Sequence, residues 1–106
     1  MITELQIEDL RKLYDEDLVF STQHIIERCE QRNISENDIR SAICSGMIIE
    51  HYPTDYPWPS CLIAGHTSEN KILHVVVSSN GEAAKLITAY WPDIEKWNAD
   101  FTLRKE

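Results

Sequence analysis

The chain has 106 residues, of which 42% are hydrophobic and 26% charged, the composition of an ordinary globular domain with room for one core. Its formal net charge of -8 argues against general binding of polyanions, because phosphate recognition normally leaves a basic footprint. No apolar run approaches the roughly 18 residues that span a bilayer. The opening Met1-Ile2-Thr3-Glu4 has neither the basic start nor the apolar stretch of a signal peptide, so a cytoplasmic location is expected, with no membrane association. Cys29, Cys44 and Cys61 are widely spaced and form no Cys-x-x-Cys. They are read as small buried hydrophobes, with no disulfide, metal or cofactor expected.

In chain order, Thr3 is placed to cap a first helix to about Tyr14, with Leu5, Leu10 and Leu13 on its apolar face. Asp15, Glu16 and Asp17 follow, where negative charge opposes the helix dipole and stops it. Residues 1–19 hold six acids against Arg11 and Lys12, or -4, half of the total charge. Ser21 is expected to cap a second helix over 22–32, with Phe20 as a hydrophobic staple. Ser35 and Asp38 read as the capping box of a third over 36–45, closed by Gly46 in the left-handed conformation.

Beyond Gly46 the period becomes extended. Strands are expected over 47–52, 60–66, 72–78 and 85–91, with Asn80-Gly81 turning the last hairpin and a short helical turn from Pro92 to Trp97 before a charged tail. Pro53, Pro57 and Pro59 frame a stiff loop carrying Tyr56 and Trp58. Three helices before four strands predict an α+β domain, its N-terminal helices on one face of a four-stranded antiparallel sheet.

Two constellations carry chemistry. His24, Arg28 and Arg32 recur at four-residue steps and would line one stripe of the second helix, a pattern suited to phosphate, carboxylate or RNA backbone. Exposed arginines also pair commonly with nearby acids, here Glu27, Glu30 or the first helix. His24 falls in the first turn, where the dipole favours the neutral, proton-accepting imidazole. His74 lies in the apolar run Leu73-His74-Val75-Val76-Val77, on one face with Ile72, Val76 and Ser78. A two-residue hairpin loop would set Ile87 opposite His74, and a three-residue loop Thr88. Tyr90 alternates with Thr88 on that strand.

These residues stand within an ordered series: Phe20-Ser21-x-x-His24-x-x-x-Arg28-x-x-x-Arg32-x-Ile34-Ser35, Asp38-Ile39-x-x-Ala42-Ile43-x-x-Gly46, Glu50-x-Tyr52-Pro53, Leu73-His74-Val75-Val76-Val77 and Ile87-Thr88-x-Tyr90-x-Pro92-Asp93. The series resembles the bacterial domain-of-unknown-function family 4258 over residues 20–97. More loosely, it resembles the RelE and BrnT type of small ribonuclease toxin. By length the chain reads as one domain spanning 1–106, with an acidic helix over 1–19 before the matched core and a tail over 98–106, and the resemblance implies a RelE-like fold for it. It also implies metal-independent RNA cleavage at a site drawn from His24, Arg28, Arg32, His74, Thr88 and Tyr90, with RNA as substrate and an antitoxin or other protein as partner. The chain departs from those toxins in being acidic. The alternative is a non-enzymatic interaction module that keeps the fold and binds protein through the Tyr56/Trp58 loop or a strand edge.

Overall fold

The computed structural model describes residues 4–105, and Thr3, expected as the first cap, lies outside them. The described chain runs α1 (Ile7–Asp15), β1 (Val19–Phe20), α2 (Gln23–Gln31), α3 (Glu36–Ser45), β2 (Met47–Tyr52), β3 (Ser60–His66), β4 (Ile72–Ser79) and β5 (Ala84–Tyr90). The α+β class holds, but the sheet has five strands in the order β1-β5-β4-β3-β2 and is mixed. The added strand is β1, which pairs in parallel with β5, Val19 to Ala84 and Phe20 to Lys85. Two residues are too few to show a period, so nothing local announces this strand.

Helix ends explain several further departures. Gln6 stands at the start of α1 without a side-chain cap. Thr22, not Ser21, caps α2, its Oγ1 accepting from the Ile25 N–H at 3.2 Å. Phe20 belongs to β1 and is 56% exposed, so it is no staple. Ser35 and Asp38 do form the capping box of α3. The left-handed residues that follow α1 and α2 are Asp17 and Asn33, at φ 57° and 58°. At each, two reverse hydrogen bonds close the helix: Leu18 N–H to Leu13 C=O with Asp17 N–H to Tyr14 C=O, and Ile34 N–H to Cys29 C=O with Asn33 N–H to Glu30 C=O. That is the Schellman pattern, and it satisfies carbonyls the helix leaves orphaned.

Gly46 is extended, with φ -92°, because α3 runs directly into β2. Its small size is required instead by contact: a Cβ there would lie 2.4 Å from the Ala42 carbonyl oxygen and 2.6 Å from that of Ala64. Gly65 is tighter, its Cβ falling 2.0 Å from the same Ala42 oxygen. The two glycines let α3 lie on β3 at backbone distance. Arg11 of α1 clamps the end of α3, donating to the carbonyls of Ile43 at 3.0 Å and Gly46 at 2.8 Å, a cation on orphaned carbonyls at a helix C-terminus. Ser45 Oγ accepts from His66 N–H at 3.0 Å, tying the same end to β3.

The helices cover one sheet face, where Cys61, Ile63, Leu73, Val75, Val77, Leu86 and Ala89 join Leu10, Leu13, Ile39 and Ile43 in the core. The opposite face is covered as well. The stretch 92–97 is a single turn, with Asp93 C=O accepting from Lys96 and Trp97 N–H, and the expected tail folds back so that Trp97 bridges Arg104. Cys29 and Cys61 are buried as expected, whereas Cys44 is exposed on α3. Burial pushes the Cys61 thiol up to about 12, keeping it protonated and inert.

The glycine contact is directly testable. Gly65→Ala is expected to lower unfolding free energy by about 2–3 kcal/mol, since the atom it adds meets backbone that cannot rotate away. Urea unfolding of the purified variant measures it, and an unchanged midpoint would contradict the contact.

Candidate functional site

Two bulges determine which side chains meet on the second sheet face. In β2 the register against β3 shifts between Ile48 and Glu50. Without that shift Glu50 would oppose Cys61 and point into the core; with it Glu50 opposes Leu62 and points to the other face. In β5 the shift lies between Leu86 and Thr88, opposite Val77 and Val76. It sets Thr88 against Val76 and Tyr90 against His74. Neither hairpin register expected from sequence is found, because Ser79 pairs with Ala84 across a four-residue connection and the bulge at Ile87 resets the rest. Facing pairs share a sheet side. Bulges in β2 and β5 thus re-aim side chains towards His74.

His74 is fully buried. Its Nε2 lies 2.8 Å from the Phe101 carbonyl oxygen and its Nδ1 3.2 Å from the Tyr90 hydroxyl. A carbonyl only accepts, so Nε2 carries the proton and Nδ1 accepts from Tyr90. Trp97 packs edge-on to the imidazole at 4.5 Å between centroids. Beside this pair, Arg104 donates to Glu50 from Nε at 2.8 Å and from Nη2 at 3.1 Å, a bidentate clamp. The Tyr52 hydroxyl donates to Glu50 Oε1, and the Arg104 guanidinium lies 4.6 Å over the Trp97 ring. The segment from Trp97 to Arg104 is therefore a strap fastened at both ends.

The electrostatics follow from this packing. Burial pulls the His74 pKa below 6.5, although the Phe101 carbonyl and the Glu50 charge act against it. Burial raises that of Glu50, but Arg104 and Tyr52 outweigh it and hold the carboxylate below its ordinary value. Burial and the hydrogen bond to Glu50 push the Tyr52 phenol up to about 12. His74 is thus a neutral, fully bonded imidazole, and Glu50 a paired anion.

The six residues read from the sequence fall into three groups. His74 and Tyr90 meet under the strap. Arg32 reaches the open edge of β5, its Nη1 donating to Ala89 C=O at 2.7 Å and Thr88 Oγ1 at 3.3 Å. Trp91 Nε1 donates to the Arg32 carbonyl at 2.7 Å, so the end of α2 and the end of β5 hold each other. His24 and Arg28 are exposed on α2. Among the described residues neither joins an ion pair with Glu27, Glu30 or α1, and Glu27 bonds Gln23 instead. The six do not converge on one open concavity. Glu50, Tyr52, Trp97 and Arg104 are not among those six; Glu50-x-Tyr52 stands in the ordered series of motifs, and its two-residue spacing is that of a shared strand face.

The family model for the domain of unknown function DUF4258 matches residues 21–91. The chain belongs to the DUF4258 family. No curated protein and no solved structure matches it. The match takes in α2 through β5 and both bulges, while α1 and the strap lie outside the matched DUF4258 residues.

The depressed His74 pKa gives a pH dependence. A basic group whose folded pKa lies below its unfolded one binds more protons when unfolded, so its contribution to stability is complete above about pH 6.5 and declines as pH falls below it. The unfolding free energy of the wild type is expected to decline from pH 7 to 5, and His74→Gln to flatten that slope. Denaturant melts at matched pH values decide, and parallel slopes for both proteins would refute the assignment.

Proposed function

We propose that this DUF4258 domain is a metal-independent endoribonuclease, a component of a toxin-antitoxin type of system, acting at the cationic flank of α2. The reading rests on one observation: His24 and Arg28 stand exposed one turn apart and, among the described residues, join no ion pair, on a helix whose far end Arg32 fixes to β5. An unpaired imidazole beside a guanidinium is the minimum equipment for phosphodiester transfer.

In this scheme a substrate phosphate lies against Arg28, whose fork offsets the charge growing on its non-bridging oxygens. His24 takes the proton from the ribose 2′-hydroxyl, which attacks the adjacent phosphorus. The bond to the 5′-oxygen breaks, that oxygen takes a proton from water, and a 2′,3′-cyclic phosphate remains. Arg32 and Thr88 act as positioning residues through their mutual hydrogen bond. His74 and Tyr90 support the sheet from beneath the strap. The acidic remainder of the chain confines attraction to this flank and makes binding strongly salt-dependent.

Purified protein incubated with RNA in EDTA is expected to cleave it. His24→Ala and Arg28→Ala should each reduce the rate about 100-fold, the usual contribution of a general base or an oxyanion partner. Equal cleavage by wild type and both variants would sink the reading. A non-enzymatic interaction module is the second reading, favoured by Tyr56, 94% exposed at the tip of its proline-framed loop. A stoichiometric partner that Tyr56→Ala releases, in the absence of any RNA cleavage, would replace the first reading with this one.

A further inference from the structure

The other flank of α2 borders a cleft of about 520 Å³, enclosed with α3, β1 and the turn after α1. Its apolar lining includes Val19, Ile26, Ile34 and Ile39, and Asp17, Glu30 and Glu36 also line it. The three carboxylates come from three separate elements: the left-handed cap of α1, α2, and the first turn of α3. No lysine or arginine is among the described lining residues. Of the cations near it, Arg40 is engaged over the Tyr14 ring at 4.6 Å and with Asp15 at 3.8 Å, and Arg32, whose charge reaches Cys29 in the cleft wall, is engaged with Thr88 and Ala89 of β5. Burial raises the Tyr14 pKa, and the charges of Glu36 and Asp17 add to it while Arg40 opposes them, so the carboxylate field reaches the cleft floor. On the lip, Ile26 is 42% exposed and Phe20 in the adjoining edge strand 56%.

This combination selects its occupant by chemistry. Three separated carboxylates around an apolar floor repel RNA and match a ligand with several spaced cations. The volume is that of a cavity able to bury a ligand. The exposed Phe20 and Ile26 extend the apolar surface past the cavity, as they would for a chain that continues beyond it. We propose that the cleft docks a short basic segment of a partner protein, its apolar side chains entering over Ile26 and Ile39 and its lysines or arginines meeting Asp17, Glu30 and Glu36. None of the six residues read as the RNA site lines this cleft. At roughly 100° per residue, Ile26 and Glu30 lie about 120–160° around α2 from Arg32, so the helix presents RNA and partner with different flanks.

The test uses the whole chain and three short synthetic peptides of equal length: alternating Leu and Lys, alternating Ser and Lys, and alternating Leu and Glu. Fluorescence anisotropy is expected to show binding of the Leu/Lys peptide alone, weakening as salt rises. Methyl NMR shifts should fall on Ile26, Ile34 and Ile39. Ile26→Asp and the double variant Glu30→Lys with Glu36→Lys should each weaken binding at least about tenfold, or 1.4 kcal/mol, with thermal melts showing that both remain folded. Equal binding of the Ser/Lys peptide, methyl shifts elsewhere, unaltered affinity in either folded variant, or no binding of the Leu/Lys peptide would overturn the proposal. RNA cleavage by Ile26→Asp at the wild-type rate separates this outcome from failure of the ribonuclease reading.

Discussion

The contact of α3 with β3 is the constraint on which the remainder depends. Ala42 is fully buried and its carbonyl faces both Gly46 and Gly65 at distances no β-carbon tolerates. Backbone packed on backbone leaves no adjustable side chain between the layers, so helix position and strand register become one variable. Arg11 then ties α1 to the same end of α3, and Ser45 ties it to the end of β3. The site elements inherit their placement from this junction. β2 begins immediately after it, and β4 and β5 follow β3 by register.

Much of the fold is legible because its signals are local. The Ser35-Asp38 capping box, the apolar spacing of Ile39, Ala42 and Ile43, and the run Ile72 to Val77 each contain their own explanation. What is not legible is what two distant segments decide together. β1 exists because Leu18 C=O accepts from Ala84 N–H and the ladder continues for two residues. The caps at Asp17 and Asn33 use residues that tolerate the left-handed region less freely than glycine, so the usual marker of a helix end is missing.

The site divides along the same line. The helical stripe is visible in spacing alone, yet spacing does not show that Arg32 is spent on the edge of β5 while His24 and Arg28 remain exposed. Alternation separates His74 from Leu73, Val75 and Val77, which the structure places against the helices, but Glu50 and Tyr90 join His74 only through bulges that alternation cannot register. The strap was the least visible part. Trp97 and Arg104 read as the end of a turn and a charged tail, and acquire meaning only when Arg104 closes on Glu50 from across the sheet.

The brevity of β1 has a consequence for the motion of the molecule. It holds to the sheet by two register pairs, Val19 with Ala84 and Phe20 with Lys85, and its partner strand lies most of the chain away. Closing so long a loop for so few hydrogen bonds makes this the natural place for sub-global opening. Hydrogen exchange would be fastest here among the strands, well ahead of β3 and β4 in the sheet centre. Because Val19 is also a wall of the cleft, that cavity has one compliant side and several rigid ones, and its width can change without disturbing the core.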